Sequence, residues 1–497
     1  MGGLLATDVT FGPDGAMYVS DWVEGWPKSR RGRIYKITAV NPDPAHAALS
    51  AQLKELLARG FELEDTATLR RLLAHPDRRA RLEAQLALAA RGKSSIAVFA
   101  EIATNVVAMP LARLHAVWGL TQLGRKHDQA AAILAKLLDD PDAEVRAQAA
   151  KGLGDLRIAS AYDALVQKLR DPAPRVRFFA AQSLGKLGRA DATPALLALL
   201  RDNADKDVYL RHAAVHALAR IGKTPALDTA ARDSADAVRL GVLLVYRALR
   251  DPAIAQFLDD QNAYIAREAA LAINDAPIEG AYAALADKLA DARFTDEASV
   301  LRAINANFRL AQATALAQYA LRNDAPADLR AEALTQLALW AAVPQRDRIV
   351  GVYRPLPERD IAPARAALAA VLPTLLAQAP EPVQLAALDA VGKLALSDAA
   401  DVLVATIGNE NATGTVRARA LATLDALDSA ALEDGLRAAE NANAPALRLA
   451  ALQILAKRAP ERALPVVRRL VTEGTAEEQK AAFSALANLD APGAPQL

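Results

Sequence analysis

The chain has 497 residues, 53% hydrophobic but only 4% aromatic, with 59 Lys and Arg against 58 Asp and Glu and no cysteine. That length exceeds one ordinary globular core but suits an architecture that grows by adding repeats, with a core of Ala, Leu, Val and Ile. A net charge of +1 favours neither nucleic acid nor an anionic membrane as partner. The lack of cysteine excludes disulfides, zinc–thiolate sites, iron–sulfur clusters and covalent c-type haem.

Met1 to Leu5 has no basic start and no long apolar stretch, so it is not a secretory signal and reads as a start inside a longer protein. Residues 1–40 form the first segment. Ala6 to Phe11 is expected as a strand, Gly12-Pro13-Asp14-Gly15 as a turn, Met17 to Trp22 as a second strand and Arg33 to Ile37 as a third. Three short strands with open edges are marginal alone. Asn41-Pro42-Asp43-Pro44 follows as a linker that stops strand and helix and stiffens the joint.

From about residue 45 a phrase recurs. Arg81, Arg113, Arg146, Arg177, Arg211 and Arg239 stand 32, 33, 31, 34 and 28 apart by subtraction. A period of this size predicts stacked helix pairs. Asp140-Pro141 and Asp171-Pro172 are expected to open second helices, with Asp as cap and Pro at the first helical position. Val145, Ala149 and Leu153 share one face, as do Val176, Ala180 and Leu184. Gly124, Gly188 and Gly222 are expected to close helices.

Degenerate copies continue at Arg302, Arg330, Arg417 and Arg448, with Gln384 and Gln479 in the arginine position and Arg267 slipped by one. The rhythm breaks at about 340–361, read as an ordered insertion, and residues 491–495 read as a polar tail without an obvious capping helix. No apolar run reaches the length of a bilayer span.

The phrase Asp-Pro-x-x-x-Val-Arg-x-x-Ala-Ala-x-x-Leu-Gly resembles HEAT repeats of the subtype also seen in phycobilin lyases, over roughly residues 45 to 490. The expected fold is all-α: a HEAT-repeat α-solenoid, a curved superhelix of antiparallel helix pairs, over 41–497. Phe11, Pro13, Asp14, Gly15, Tyr18, Val19 and Asp21 resemble one blade of a sugar-dehydrogenase-like β-propeller. With Arg113 to Trp118, Tyr209 to Ala213, Arg302 to Arg309 and Tyr353 to Leu356, the chain is similar to the propeller–HEAT–cytochrome c dehydrogenase-like proteins abundant in planctomycetes. That resemblance implies an exported, periplasmic setting. Two departures matter: most of the propeller, which would hold a quinone, is absent, and there is no Cys-x-x-Cys-His haem site. The resemblance therefore assigns no catalytic residue and no cofactor to this chain.

Candidate sites are few. His212 and His216 lie four apart on an expected helix and could face one metal, though two ligands make no site, and packing within the stack is the simpler account. The ladder Arg113, Asp140, Arg146, Asp171, Arg177, Arg211 and Arg239 could line an anion groove, but the HEAT resemblance implies arginine–aspartate bridges between repeats. In the insertion, Arg346, Arg348, Tyr353, Arg354 and Arg359 could dock a protein partner or clasp an irregular joint. Asp21, Trp22, Glu24 and Trp26 could suggest a carboxylate site with stacking aromatics; blade packing is the plainer reading.

The composite reading is a non-catalytic scaffold for a protein partner or flanking domains, as the linker module of a larger dehydrogenase-like protein. Alternatives are a fragment or subunit of a quinone-dependent sugar or alcohol dehydrogenase, or a phycobilin-lyase-like protein.

Overall fold

A computed structural model describes residues 5–22, 30–440 and 442–487. Glu24, Trp26 and residues 491–495 lie outside the described residues. Three strands, β1 (Ala6–Phe11), β2 (Met17–Asp21) and β3 (Arg33–Ile37), form an antiparallel sheet in the order β1-β2-β3. Val9 pairs with Val19 and Val19 with Tyr35. The turn forms where Gly15 takes a positive φ of 76° and Asp14 accepts from the Ala16 N–H at 3.2 Å and the Tyr18 hydroxyl at 3.1 Å. The second strand stops at Asp21, one residue earlier than expected, where the carboxylate accepts from the Leu5 N–H at 2.8 Å. β1 and β3 are exposed throughout.

Everything described after the sheet is helical or connecting, and the chain divides into two compact units, residues 1–245 and 246–497. The linker is not the stop it was expected to be. Pro44 is the first residue of a helix running to Arg59, and Asp43 caps it by accepting from the Ala45 and His46 N–H groups. Proline costs nothing at a first helical position, where no N–H is needed.

The Asp-Pro phrase also departs from expectation. The helices begin at Ala143 and Pro174, each two residues late. Asp140 accepts from the Asp142 N–H and Asp171 from the Ala173 N–H, both at 2.9 Å. An aspartate bonded to the N–H two residues on closes a turn, and the intervening proline fixes its first φ. The phrase therefore encodes the turn before the helix. Asp142 is the cap of the Ala143–Asp155 helix. Ala173, held extended ahead of Pro174, plays that part in the Pro174–Leu187 helix without a side-chain bond.

In the first unit the second helices, Arg78–Ala90, Pro110–Gly124, Ala143–Asp155, Pro174–Leu187 and Val208–Ile221, pack side by side in one layer. Small residues set the spacing: the Ser183 hydroxyl donates to the Ala150 carbonyl at 2.8 Å, and a Cβ on Gly185 would stand 2.6 Å from Ala217 Cα. Residues one period apart are thus neighbours, which is why the repeat is visible in sequence. Val145, Ala149, Leu153, Val176, Ala180 and Leu184 are all buried, each leucine contributing about 1.5–3 kcal/mol. Gly188 and Gly222 end helices with positive φ, as expected. Gly124 does not; it lies inside its helix, where a side chain would meet Leu156.

The second unit repeats the plan through Ala263–Asp275, Glu297–Arg309, Ala327–Ala338, Glu381–Lys393, Gly414–Ala426, Pro445–Arg458 and Ala476–Leu486. Between Ala338 and Ala362 it carries no helix, only an isolated bridge from Arg346 to Tyr353. Among the described residues no helix is long and apolar enough to cross a membrane.

Candidate functional site

The arginine ladder is largely enclosed. Arg113 pairs with Asp140 of the next repeat and donates to the Ala103 carbonyl at 3.0 and 2.8 Å. Arg146 grips Asp171 with two bonds, 2.9 and 3.0 Å, and donates to the Asp140 carbonyl at 2.8 Å. Burial raises the Asp171 pKa most, but the Arg146 hydrogen bonds, the Ala173 N–H and the Arg146 and Lys168 charges together leave the group below its ordinary value. Arg177 bonds its own turn at the Asp171 and Pro172 carbonyls, Arg211 pairs with Asp205, and Arg239 bonds the Asp233 carbonyl and Asp236. In each of these, and at Arg146, the arginine ties down the turn that precedes its own helix.

His212 and His216 are both exposed, with ring centroids 6.0 Å apart. Partial burial, then Arg220, the other histidine and Lys186, lower the His216 pKa. Among the described residues no group of three His, Asp or Glu side chains could hold a metal ion. Asp21 is buried and accepts from Leu5 and, at 3.3 Å, from the Tyr35 hydroxyl, so its carboxylate is occupied within the sheet.

The five insertion residues separate. Arg354 donates to the Asn274 and Asp275 carbonyls at 2.7 and 2.6 Å. Arg359 donates to the Phe308 and Arg309 carbonyls and lies 5.1 Å over the Trp340 ring. Both fasten the segment to helix ends. Arg346 bonds the Gly351 carbonyl at 3.0 Å within the segment, and Arg348 pairs with Glu332. Tyr353 points outward, 65% exposed.

Asp347 is the centre of this arrangement. Its side chain is fully buried and accepts from Asn305 at 3.0 Å and from the Ile349 and Val350 N–H groups at 2.9 and 3.1 Å, with Arg309 at 3.5 Å and Arg354 at 3.7 Å. Asn305 also donates to Asn274 at 2.8 Å. Sequence reasoning missed Asn274, Asn305 and Asp347. A signal existed: Asn274, Asn305 and Gln336 are 31 apart by subtraction on faces that are otherwise apolar, and all three are buried.

A second surface, also missed, lies on the first unit. Leu82, Leu86, Leu111, Trp118 and Tyr209 are exposed on the first, second and fifth of the second helices, Trp118 by 37% and Tyr209 by 72%. Trp118 donates to Gln148 at 2.9 Å, Gln148 to Glu144 at 2.7 Å, and Glu144 pairs with Arg175 at 2.6 Å. Arg175 lies 5.0 Å over Phe179, which meets Phe178 edge-on at 5.2 Å. Pro174, Arg175, Phe178, Asp207, Tyr209 and Leu210 line a cleft of about 320 Å³. Beneath the row, His115 bonds Gln85 at 2.8 Å and faces Arg81. Burial, aided by the Arg81 charge, lowers its pKa to about 4. In a chain so poor in aromatics, an exposed Trp and an exposed Tyr on the same helix layer stand out.

The family profile described as HEAT repeats matches residues 107–167, 130–209 and 162–247. No curated protein matches the chain. Among solved structures, the chain is similar to the karyopherin Kap121p bound to the SUMO protease Ulp1p, at 11% identity over 92% of this chain and 64% of that one, with a TM-score of 0.42. It is also similar to importin beta, at 11% identity over 90% and 70%, TM-score 0.39, and to an engineered protein at 22% identity over 45% and 98%, TM-score 0.27. These likenesses are too loose to carry a partner or a role. Residues 107–247 thus carry HEAT repeats, and the fold is a HEAT-repeat α-solenoid with a small antiparallel sheet at its N-terminal end.

Proposed function

We propose that this HEAT-repeat chain is a non-catalytic scaffold that holds a protein partner on the second-helix layer of residues 1–245. Exposed Trp118 and Tyr209, with half-buried Phe178 between them on the same layer, carry this reading. Aromatic side chains bury large areas at little entropic cost and dominate interface energetics. The hydrogen-bonded line from Trp118 through Gln148 and Glu144 to Arg175 fixes the row before any partner arrives. Tyr353, with Arg346 and Arg348, is a secondary contact on the insertion; Arg354 and Arg359 act there as fasteners.

Residues 1–40 and 41–497 are, on this reading, a propeller-blade remnant and the solenoid, with 340–361 an insertion in the latter. The strand–turn–strand phrase from Phe11 to Asp21 supports placing the module as a linker in a larger exported dehydrogenase-like protein.

The test is a photo-crosslinking residue at position 209 in the native host, with a control at Leu63, which is 92% exposed elsewhere. One discrete protein adduct at 209, reduced about tenfold by Trp118→Ala and missing at 63, is expected. No adduct at 209, or the same adducts at both positions, refutes the reading.

A further inference from the structure

We propose that the C-terminal tips of the second helices in residues 1–245 form a basic edge that binds an extended acidic polypeptide. This rests on reading the chain as a protein-binding scaffold, but not on the aromatic row. The near-zero net charge conceals a division: residues 1–245 hold 34 Lys and Arg against 27 Asp and Glu, net +7, and residues 246–497 hold 25 against 31, net −6.

Part of the excess collects at the helix tips. Lys93, Arg125, Lys126 and Arg157 follow three successive second helices, and Arg220 lies in the last turn of the Val208–Ile221 helix. All five are exposed. Side-by-side packing of the five second helices sets these tips along one edge, with the Gly188–Arg189 tip between those of Arg157 and Arg220. Among the described residues none of the five makes an ion pair, whereas Arg189 on the same edge pairs with Asp191 at 3.0 Å. Asp128 and Asp163, in the first turns of the following helices, offset the five only in part.

Basic groups at helix C-termini complement the helix dipole, but that does not require them here. In residues 246–497 the comparable helix ends are mixed, with Asp275 and Asp425 on two of them and Arg309, Lys393 and Arg458 on three others. Arg157 adds a second observation. It is held at φ 52°, where Gly188 stands one repeat later at φ 70°. A glycine would relax that backbone, so an arginine without an ion pair persists there at a conformational cost.

The spacing identifies the ligand. Packed helices lie roughly 8–10 Å apart, and an extended chain advances about 3.3 Å per residue. An acidic side chain at every third position would meet one tip per repeat.

The full chain is titrated with a fluorescent peptide of about twelve residues bearing Glu at every third position, at about 50 and 300 mM salt. The comparisons are a peptide of equal composition with its Glu clustered, and a single-stranded oligonucleotide of equal charge. Expected are salt-sensitive binding of the spaced peptide and at least about tenfold weakening in Arg125→Glu/Lys126→Glu. Arg157→Gly weakens binding several-fold while raising the melting temperature, a pair of opposite effects that a purely structural arginine would not give. Unchanged affinity in these variants overturns the proposal, as does equal or tighter binding of the clustered peptide or the oligonucleotide. Crosslinking at position 209 reads the scaffold proposal separately.

Discussion

The Asp347 carboxylate, with no exposed side-chain surface, meets the Asn305 amide at 3.0 Å, and this contact joins the irregular segment between Ala338 and Ala362 to a helix three elements earlier. A buried anion here is tolerable because two N–H groups and two guanidinium groups surround it. Asp347→Ala leaves Arg309 and Arg354 without their counter-charge, and a loss of about 3 kcal/mol is expected. Urea unfolding measures it, and limited proteolysis within 339–361 shows whether the segment detaches. Asp347→Asn, which keeps an acceptor for Asn305, should lose less.

Gly185→Ala should destabilise the chain by about 1–3 kcal/mol through overpacking, although alanine is the better helix former. The new methyl would face backbone at Ala217, 2.6 Å away, and backbone cannot rotate aside. Thermal melting checks it; a neutral result would mean that the layer can spread.

Ala311 and Ala395 sit at φ 58° and 49° just past their helices. Their Cβ atoms are strained in that left-handed conformation. Ala311→Gly and Ala395→Gly should each stabilise by about 0.5–1 kcal/mol, the relief exceeding glycine's greater freedom when unfolded. A rise in urea midpoint is the readout.

His115 has a folded pKa of about 4 against an ordinary value near 6.5. A depressed pKa means that the unfolded chain binds the proton first. The stability tied to neutral His115 is complete above about pH 6.5 and declines as pH falls toward 4, by at most about 1.4 kcal/mol per unit. Urea midpoints at about pH 7.5, 5.5 and 4.5 should fall less steeply in His115→Gln than in the parent.

Deletion of residues 1–40 should lower the melting temperature only slightly. β1 and β3 are exposed along their length, and the clearest tie to the helices is Arg79 donating to the Phe11 carbonyl at 3.0 Å. A large loss would show the sheet to be part of the first helical stack.

Much of the fold was legible because helices one period apart touch. The spacing of Arg113, Arg146 and Arg177, and the apolar faces of Val145 to Leu153 and Val176 to Leu184, follow from repeat-to-repeat contact, so a pattern along the chain is also a pattern in space. Local rules also gave Gly188 as a cap and the three strands. They misplaced the helix starts at Asp140 and Asp171, because a side chain bonding two residues ahead closes a turn as readily as it caps a helix.

What the sequence determined by itself was the repeat architecture, the aliphatic core and the exclusion of thiol chemistry. Only the tertiary structure decided which polar groups are enclosed and which are offered to solvent. Arg354 and Arg359 turn onto helix-end carbonyls while Tyr353 turns away, and Trp118 and Tyr209 emerge together on one layer. Those outcomes depend on contacts across 30 to 80 residues, where a side chain's fate is set by which free backbone carbonyl or carboxylate lies within reach, and no local spacing encodes that.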